Sequence, residues 1–414
     1  MKMNLTTDSK AFKNQVKNLR EKLNMCLSNG ILEDGFQQQL DNLLKAEQDL
    51  LTELIPYYRL YANNITKTSI QIDPVKQLGA FSFDSFLYTS LRISKNLFIT
   101  GSINGKVQFL YLNIINYSDG NRIEGEWSVP IKEIKETISF IYKLNDREIL
   151  LYGITGRSYL LSCDSFDNMT DVSKQVNVKR IKTNYDINEL GRCLAINDGL
   201  FVAEYGDERL NLLEIIKEKD EYRLVLYKEI FCAIPNLTAL EKINEDYFAA
   251  GTKTGELYLI RLENKQLDIA EKINLSDDEI RQIRCLEDEN NSKNSLMVTG
   301  NKGLLKIFRL NDGTKRLSIM KTEISMLKGN LFDVQSQKGT ALVLSEDGII
   351  YLLEENLGSW YINEESSIKE CFFTNVFKLD GSKYLLMNVE GNLNILYVNR
   401  ISTPKDLWEL PLYQ

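Results

Sequence analysis

Residues 97–109 read Leu-Phe-Ile-Thr-Gly-Ser-Ile-Asn-Gly-Lys-Val-Gln-Phe, which is two apolar runs separated by a short turn that ends in Gly105. Short apolar runs bounded by turn residues are typical of buried β-strands. Glycine suits the end of a tight turn because it adopts positive φ without steric cost. The stretch therefore predicts a hairpin between two buried strands.

The same pattern occurs seven times in the chain. Its turn glycines follow one another at intervals of 51, 50, 49, 48, 45 and 43 residues: Gly105, Gly156, Gly206, Gly255, Gly303, Gly348 and Gly391. The third copy is the weakest, because its glycine comes two positions early and Glu208 stands in the expected place. Two more strand-like runs lie between successive copies, such as 126–129 and 138–142. Each unit therefore predicts about four short strands, which matches the content of one propeller blade.

Seven such units over residues 66–414 predict a mainly β fold, a seven-bladed β-propeller. A closed ring is expected because an open stack would leave apolar strand edges exposed. Residues 69–72 alternate in polarity like an edge strand, whereas the last repeat lacks an outer strand of its own. We expect this early strand to seal the ring, with residues 407–410 as the alternative. Truncation after Asn399 should leave a folded protein only in the first case.

The repeats resemble the WD40-like propeller superfamily over roughly residues 66–414. Residues 100–102 (Thr-Gly-Ser) look like the family's second strand, and residues 105–107 (Gly-Lys-Val) and 255–257 (Gly-Glu-Leu) look like the start of its third. The chain has no histidine and no Trp-Asp dipeptide, so the family's Gly-His and Trp-Asp signatures are absent. The hydrogen-bond tetrad that those signatures serve is therefore missing or replaced.

The first part of the chain has a different pattern. Apolar residues at helical spacing run through residues 12–27, Gly30 follows as a stop signal, and a second periodic run covers residues 32–54. Two helices joined by a short glycine-containing turn form an antiparallel hairpin. The sequence thus predicts an N-terminal α-helical hairpin or coiled coil at residues 1–65, followed by the propeller at residues 66–414.

The second predicted helix has more apolar residues than contact with the first helix can use. It contains adjacent apolar pairs, and neighbouring residues on a helix point about 100° apart, so both members cannot face one narrow seam. One member of each pair must meet the side of the propeller, a second copy of the chain or another protein. The candidate partner-binding residues are Leu44, Leu51, Ile55, Tyr57 and Tyr58.

The composition excludes several classes of function. With no histidine in 414 residues, Ser-His-Asp and Cys-His catalysis and histidine-ligated metal sites cannot exist. The six cysteines never form a C-x-x-C pair, which predicts free thiols in a reducing, cytoplasmic location. The net charge of −8 opposes direct nucleic-acid binding, and no apolar run is long enough to span a membrane. We expect no catalytic residues, no metal and no cofactor.

Three further features have simple interpretations. The acidic clusters at 277–279 and 287–289 lack the spacing of a calcium loop and are expected to be solvated. Packing between blades is expected for the three tryptophans: Trp127, Trp360 and Trp408. Buried, unreactive thiols are expected at four cysteines in or beside predicted strands: Cys193, Cys232, Cys285 and Cys371.

The lack of motifs and the two-part layout favour a non-catalytic protein-interaction scaffold, a subunit of a multiprotein complex. An alternative is a regulatory or sensor subunit, bacterial for example, that controls an enzyme partner such as a protease or a nuclease. A third is a histidine-free enzyme, which needs polar residues from several blades in one funnel. The inner strands identified, such as 138–142 and 372–373, look too apolar for that. Fold alone does not decide between these functions.

Overall fold

The computed structural model describes residues 66–78, 86–117, 120–169, 176–185, 190–197, 199–206, 208–218, 221–286, 295–311, 313–320, 324, 327–337, 339–356, 359–368, 372–380 and 382–402. The predicted helical hairpin at residues 1–65 lies outside the described residues. The described residues form seven sheets, each dominated by antiparallel pairing.

The described strands, in chain order, are β1 (Thr66–Pro74), β2 (Lys76–Leu78), β3 (Leu87–Arg92), β4 (Leu97–Ser102), β5 (Val107–Tyr117), β6 (Gly120–Trp127), β7 (Ile138–Asn145), β8 (Glu148–Gly153), β9 (Ser158–Ser162), β10 (Asn177–Arg180), β11 (Lys182–Thr183), β12 (Leu190–Asn197), β13 (Leu200–Tyr205), β14 (Arg209–Glu218), β15 (Glu221–Ala233), β16 (Leu237–Lys242), β17 (Tyr247–Thr252), β18 (Glu256–Glu263), β19 (Gln266–Asn274), β20 (Ile280–Leu286), β21 (Ser295–Gly300), β22 (Leu305–Asn311), β23 (Arg316–Ile319), β24 (Leu331–Gln337), β25 (Thr340–Ser345), β26 (Ile349–Asn356), β27 (Ser359–Ser367), β28 (Phe373–Asp380), β29 (Lys383–Asn388) and β30 (Leu393–Ser402).

Each sheet is one blade, built from the inside of the ring outward. The blades are β3–β6 (blade 1), β7–β10 (blade 2), β12–β15 (blade 3), β16–β19 (blade 4), β20–β23 (blade 5), β24–β27 (blade 6) and β28–β30 with β1 (blade 7). The innermost strand of each blade lies beside that of the next, and β28 lies beside β3. The ring is closed, and the predicted seven-bladed propeller is confirmed.

The ring is sealed by the first described strand. β1 hydrogen-bonds to β30 as the outermost strand of blade 7, whose other strands come from the far end of the chain. Ile70 and Ile72 pack against the buried cluster of blades 6 and 7, whereas Gln71 between them is exposed. The expectation that residues 69–72 seal the ring is confirmed, and the alternative strand at residues 407–410 lies outside the described residues.

About four strands per blade are expected, and two blades contain a fifth. β2 pairs in parallel with β6 of blade 1, and β11 pairs in parallel with β15 of blade 3. Side chains strengthen the first addition: Gln77 Oε1 accepts a 2.9 Å hydrogen bond from Trp127 Nε1, and Lys76 Nζ lies 2.8 Å from Glu124 Oε1. Because β2 follows β1 almost directly, it ties the segment that leaves blade 7 to the edge of blade 1.

Apolar side chains pack mainly between blades. Seven clusters of buried residues each combine two neighbouring blades, one cluster for each junction. Trp127 packs with Leu385 of blade 7, and Trp360 packs with Leu286 of blade 5, as expected for these tryptophans. Trp408 lies outside the described residues. Each blade is therefore stabilised by both of its neighbours.

The seven predicted turn glycines all have positive φ, between 67° and 83°. At Gly105, Gly255 and Gly303 the next blade also leaves no room for a side chain. A Cβ atom would lie 2.1 Å from the Ser276 oxygen at Gly255 and 1.8 Å from the Leu327 oxygen at Gly303. At Gly206, in the weakest repeat, a Cβ atom would have nothing within 4 Å. Glycine thus serves the turn in every blade and the approach of the next blade in some.

Replacing Gly303 with alanine should destabilise the protein by about 3 kcal/mol or more, because the methyl group overlaps the Leu327 carbonyl at a positive-φ residue. Gly206→Ala is the matched control, with backbone strain but no overlap, and should cost about 1 kcal/mol. Chemical denaturation of both variants measures the difference. Equal costs would show that the blades do not depend on this close approach.

A second variant tests the closing strand. Ile70→Asp with Ile72→Asp should destabilise the protein by roughly 2–4 kcal/mol, because two side chains that pack on the core become charged. Gln71→Asp, on the exposed face of the same strand, should change stability by less than about 0.5 kcal/mol. Denaturation midpoints and light scattering report on both. An unchanged midpoint in the double variant would mean that the ring does not need β1.

Candidate functional site

The innermost strands share a β-bulge at their second residue. In six blades the pairing with the next strand skips one residue there, as between Leu87 and Thr89 in β3. A bulge re-aims the extra side chain. The bulged residues are Tyr88, Ser139, Thr238, Arg281, Phe332 and Thr374. All of them except Ser139 line one cavity.

That cavity has a volume of about 590 Å³ and is lined by residues from six of the seven blades, so it is the mouth of the central channel. Part of its wall is aromatic, from blades 7, 1 and 6: Phe86, Tyr88, Phe332, Phe372 and Phe373. Another part is polar, from blades 3 to 6: Arg192, Thr238, Glu279, Arg281 and Glu346.

The expectation that the inner strands are too apolar to bring polar residues together is therefore wrong. It rested on strand interiors such as 138–142, which pack between blades. The side chains that reach the mouth come instead from the start of an inner strand or the residue before it in most of these blades, and from a hairpin turn in the case of Glu346 and Val389. These positions differ in polarity from one blade to the next.

The charges in the cavity wall neutralise one another. Arg281 forms an ion pair with Glu346, and its Nε lies 4.0 Å from Glu279 Oε2. Asn330 Nδ2 donates a 3.1 Å hydrogen bond to Glu346 Oε2. Both carboxylates thus face one guanidinium, an arrangement that does not place either of them as an unengaged general base.

A repeated backbone hydrogen bond fixes two positions beside this mouth in blades 1, 2, 4, 5, 6 and 7. The N–H two residues before the turn glycine donates to the carbonyl of the residue just before the blade's own inner strand. The bonds measure 2.8–3.0 Å and run from Ile103 to Phe86, Ile154 to Thr137, Lys253 to Asn236, Asn301 to Glu279, Glu346 to Asn330 and Val389 to Phe372. Equivalent side chains around the ring can therefore be compared directly.

That comparison divides the face of the ring into two parts. In blades 4, 5 and 6 all the side chains at these two positions are polar or charged, whereas in blades 7, 1 and 2 they are apolar except for Thr137. We define the apolar sector as Phe86, Tyr88, Ile103, Ile154, Phe372 and Val389. Its aromatic rings are open to solvent, with Phe86 56% and Phe372 57% exposed. Exposed aromatic side chains beside a polar surface are typical of protein-binding sites.

A buried charge network lies further along the inner strands. Arg284 Nη1 is 3.3 Å from Glu241 Oε2, and Arg284 Nη2 is 3.6 Å from Asp333 Oδ1. Asp333 Oδ2 accepts a 3.0 Å hydrogen bond from the N–H of Val376. Burial raises the pKa of Asp333, and Arg284 and the N–H of Val376 oppose that rise. The network joins the inner strands of blades 4, 5, 6 and 7.

Several of the cysteines and acidic residues singled out in the sequence are buried, hydrogen-bonded or ion-paired in the structure. Cys232 is buried and its burial raises the pKa of the thiol to about 12, while burial also raises the pKa of Cys193. Cys285 Sγ donates a 2.8 Å hydrogen bond to the Lys242 carbonyl. In the first acidic cluster, Asp278 lies 2.6 Å from Lys302 Nζ. Cys371 and the second acidic cluster lie outside the described residues.

The described part of the chain contains neither a metal-binding group of side chains nor a helix that could span a membrane. None of its acidic and cysteine side chains form a group of three or more that could hold a metal ion. None of its helical segments has the length and apolarity to cross a membrane. The predicted partner-binding residues lie outside the described residues: Leu44, Leu51, Ile55, Tyr57 and Tyr58.

The chain has the fold of a divergent WD40-like β-propeller. Solved structures similar to it include the β-propeller domain of Cps50 (Swd1) from Myceliophteria thermophila, 14% identical with a TM-score of 0.50 over 75% of this chain and 99% of that one. The WD40 β-propeller domain of Doa1 is 9% identical, with a TM-score of 0.51 over 82% and 98%. The computationally designed Ika8 protein is 11% identical, with a TM-score of 0.52 over 78% and 100%. No family model and no curated protein match the sequence.

A double-mutant cycle tests the charge network. Asp333→Ala should cost about 3 kcal/mol, because it leaves the N–H of Val376 without its buried acceptor and removes one of the two carboxylates of Arg284. Arg284→Ala should cost a similar amount, because it leaves the carboxylates of Asp333 and Glu241 without their cation. Because Arg284→Ala leaves the carboxylate of Asp333 without its cation and the double variant removes that carboxylate too, the double variant should cost clearly less than the sum, measured by denaturation. Additive costs would show that the two side chains act independently.

Proposed function

We propose that this protein is a non-catalytic scaffold that binds a protein partner on the face of the ring that carries the apolar sector. The observation that carries the proposal is the difference in side-chain polarity between equivalent positions of different blades. The same backbone site holds Phe86 in blade 1 and Asn236 in blade 4, and both side chains are exposed. Packing within the ring does not require an aromatic side chain there, so the exposed ring is explained by contact with another molecule.

The general behaviour of the fold supports this proposal, since WD40 propellers generally bind protein partners. The mixed wall of the channel mouth also suits a protein surface, with aromatic rings to bury and charged groups at the border. An enzyme that uses the same cavity is less well supported, because Glu279 and Glu346 are both engaged with Arg281. A regulatory subunit would use the same face and remains the alternative.

The expected second attachment point is the segment at residues 1–65. We propose that Leu44, Leu51, Ile55, Tyr57 and Tyr58 contact a partner or a second copy of the chain, on the strength of their apolar surplus. We also propose a reducing, cytoplasmic location. It is supported by the four described cysteines, none of which forms a disulfide.

Comparative capture from an extract of the native host tests the proposal. Phe86→Ser with Ile103→Ser should lower recovery of the partner at least about tenfold, because aromatic hot spots contribute 2 kcal/mol or more. Asn236→Ser with Lys253→Ser is the matched control at the equivalent sites of blade 4 and should retain the partner. Mass spectrometry quantifies recovery, and melting curves check that both variants are folded.

Two results would contradict this function. The first is equal recovery of the same proteins by the wild type, the blade 1 variant and the blade 4 variant, since the apolar sector would then bind nothing. The second is a wild-type protein that retains no specific partner in extracts where it is naturally present.

A further inference from the structure

A second cavity lies on blade 2, at the same face of the ring. It has a volume of about 430 Å³ and six lining residues, which we call the basic groove: Glu133, Lys135, Arg157, Tyr159, Val178 and Arg180. Three of the six are cations in a protein whose net charge is −8. The groove is therefore a basic site on an acidic protein.

The three cations come from three separate segments. Lys135 lies in the loop that enters β7, Arg157 in the turn between β8 and β9, and Arg180 on β10 opposite Tyr159. All three side chains are exposed, and within the described part of the chain none of them has an ion pair or a side-chain hydrogen bond.

Several exposed cations elsewhere on the propeller are paired. Lys265 lies 2.9 Å from Glu214, Lys272 lies 2.7 Å from Glu256 and Lys302 lies 2.6 Å from Asp278. The three groove cations differ in lining one cavity together without an ion pair among the described residues, and Glu133 is the one acidic residue that lines it with them. Their mutual repulsion favours an anion between them.

The groove has a fixed floor. Glu136 is buried beneath it and accepts a 2.5 Å hydrogen bond from the hydroxyl of Tyr159, and it accepts another from Thr155. These contacts hold the β8–β9 turn against the loop that carries Lys135. Burial and Glu136 raise the pKa of Tyr159 to about 12, so the hydroxyl stays protonated in its bond to Glu136. The cations are thus carried on a preformed backbone, which lowers the cost of ordering them on binding.

We propose that the basic groove binds a short acidic segment of a protein partner, whose carboxylates pair with Lys135, Arg157 and Arg180. The proposal rests on the protein-binding function proposed above and specifies the chemistry of the partner. Arginine pairs with carboxylates through two parallel hydrogen bonds, and the cations stand along an open groove that suits several separate carboxylates.

Two observations favour an acidic protein segment over a nucleic acid. The surface around the groove belongs to an acidic protein, which repels a long phosphate backbone, and Glu133 stands at the edge of the groove itself. The groove also lies beside the apolar sector, because Ile154, which is 51% exposed, belongs to the same turn as Arg157. A segment with an apolar residue followed by acidic residues would match both surfaces.

The test uses the full chain and a fluorescein-labelled peptide of alternating glutamate and leucine, with binding measured by anisotropy at about 0.15 M salt. Lys135→Glu, Arg157→Glu and Arg180→Glu together should weaken binding at least tenfold. The control triple is Lys253→Glu, Lys306→Glu and Arg316→Glu, three exposed cations of blades 4 and 5 that change the net charge equally. It should weaken binding by less than about twofold, since distant charges are screened.

Several outcomes would overturn the inference. They are no binding of the acidic peptide, equal weakening by both triples, and displacement of the peptide by inorganic phosphate or by a single-stranded oligonucleotide more readily than by unlabelled peptide. Melting curves of both triples establish that they are folded. If the groove triple still captures the wild-type partner from host extract, the acidic-segment inference fails while the scaffold function stands. If the wild type captures no partner, the scaffold function itself fails.

Discussion

Neighbouring blades approach one another closely where a hairpin turn meets the backbone that enters the next inner strand. At Gly255 the distance is too short for any side chain, because a Cβ atom would overlap the carbonyl of Ser276. The entering segment is then held a second time, by a hydrogen bond from its own blade's hairpin, as between Ile154 and Thr137. The bulge that opens the channel mouth follows within two residues. The shape of the mouth thus derives from contacts made by glycine and main chain, which leaves the side chains there free to differ.

Because these backbone contacts do not depend on the side chains, one face of the ring can be apolar in one part and polar in another. Around the ring the hairpin position holds Ile103 in blade 1, Lys253 in blade 4 and Glu346 in blade 6, on nearly the same hydrogen bond. Repetition supplies a rigid frame, and sequence differences between repeats supply its chemistry. The basic groove follows the same rule, since its cations are attached to segments pinned by Glu136.

The sequence predicted the features that follow from a recognisable residue pattern, namely turn glycines and alternating buried residues. The turn glycines predicted the number of blades because each needs positive φ, and the alternation around Ile70 and Ile72 predicted the closing strand because one face of it is buried. The five-stranded blades were missed because β2 and β11 have only three and two residues, too few for a pattern. The polar channel mouth was missed because it combines residues from different blades. One signal was present in the sequence: the residue two places before each turn glycine changes from apolar to polar between blades 1 and 4.

The pairing of β1 with β30 also affects the order in which the protein can fold during synthesis. β1 leaves the ribosome before any other strand of the propeller, and its partner is the last described strand to be made. Until then the nascent chain holds an incomplete ring with two unprotected ends, one at blade 1 and one at the last finished blade. Contacts between such distant parts of a chain form slowly. Until they form, the exposed strand edges promote aggregation. The interval between the emergence of blade 6 and the docking of β1 is therefore the period in which this chain depends most on chaperones.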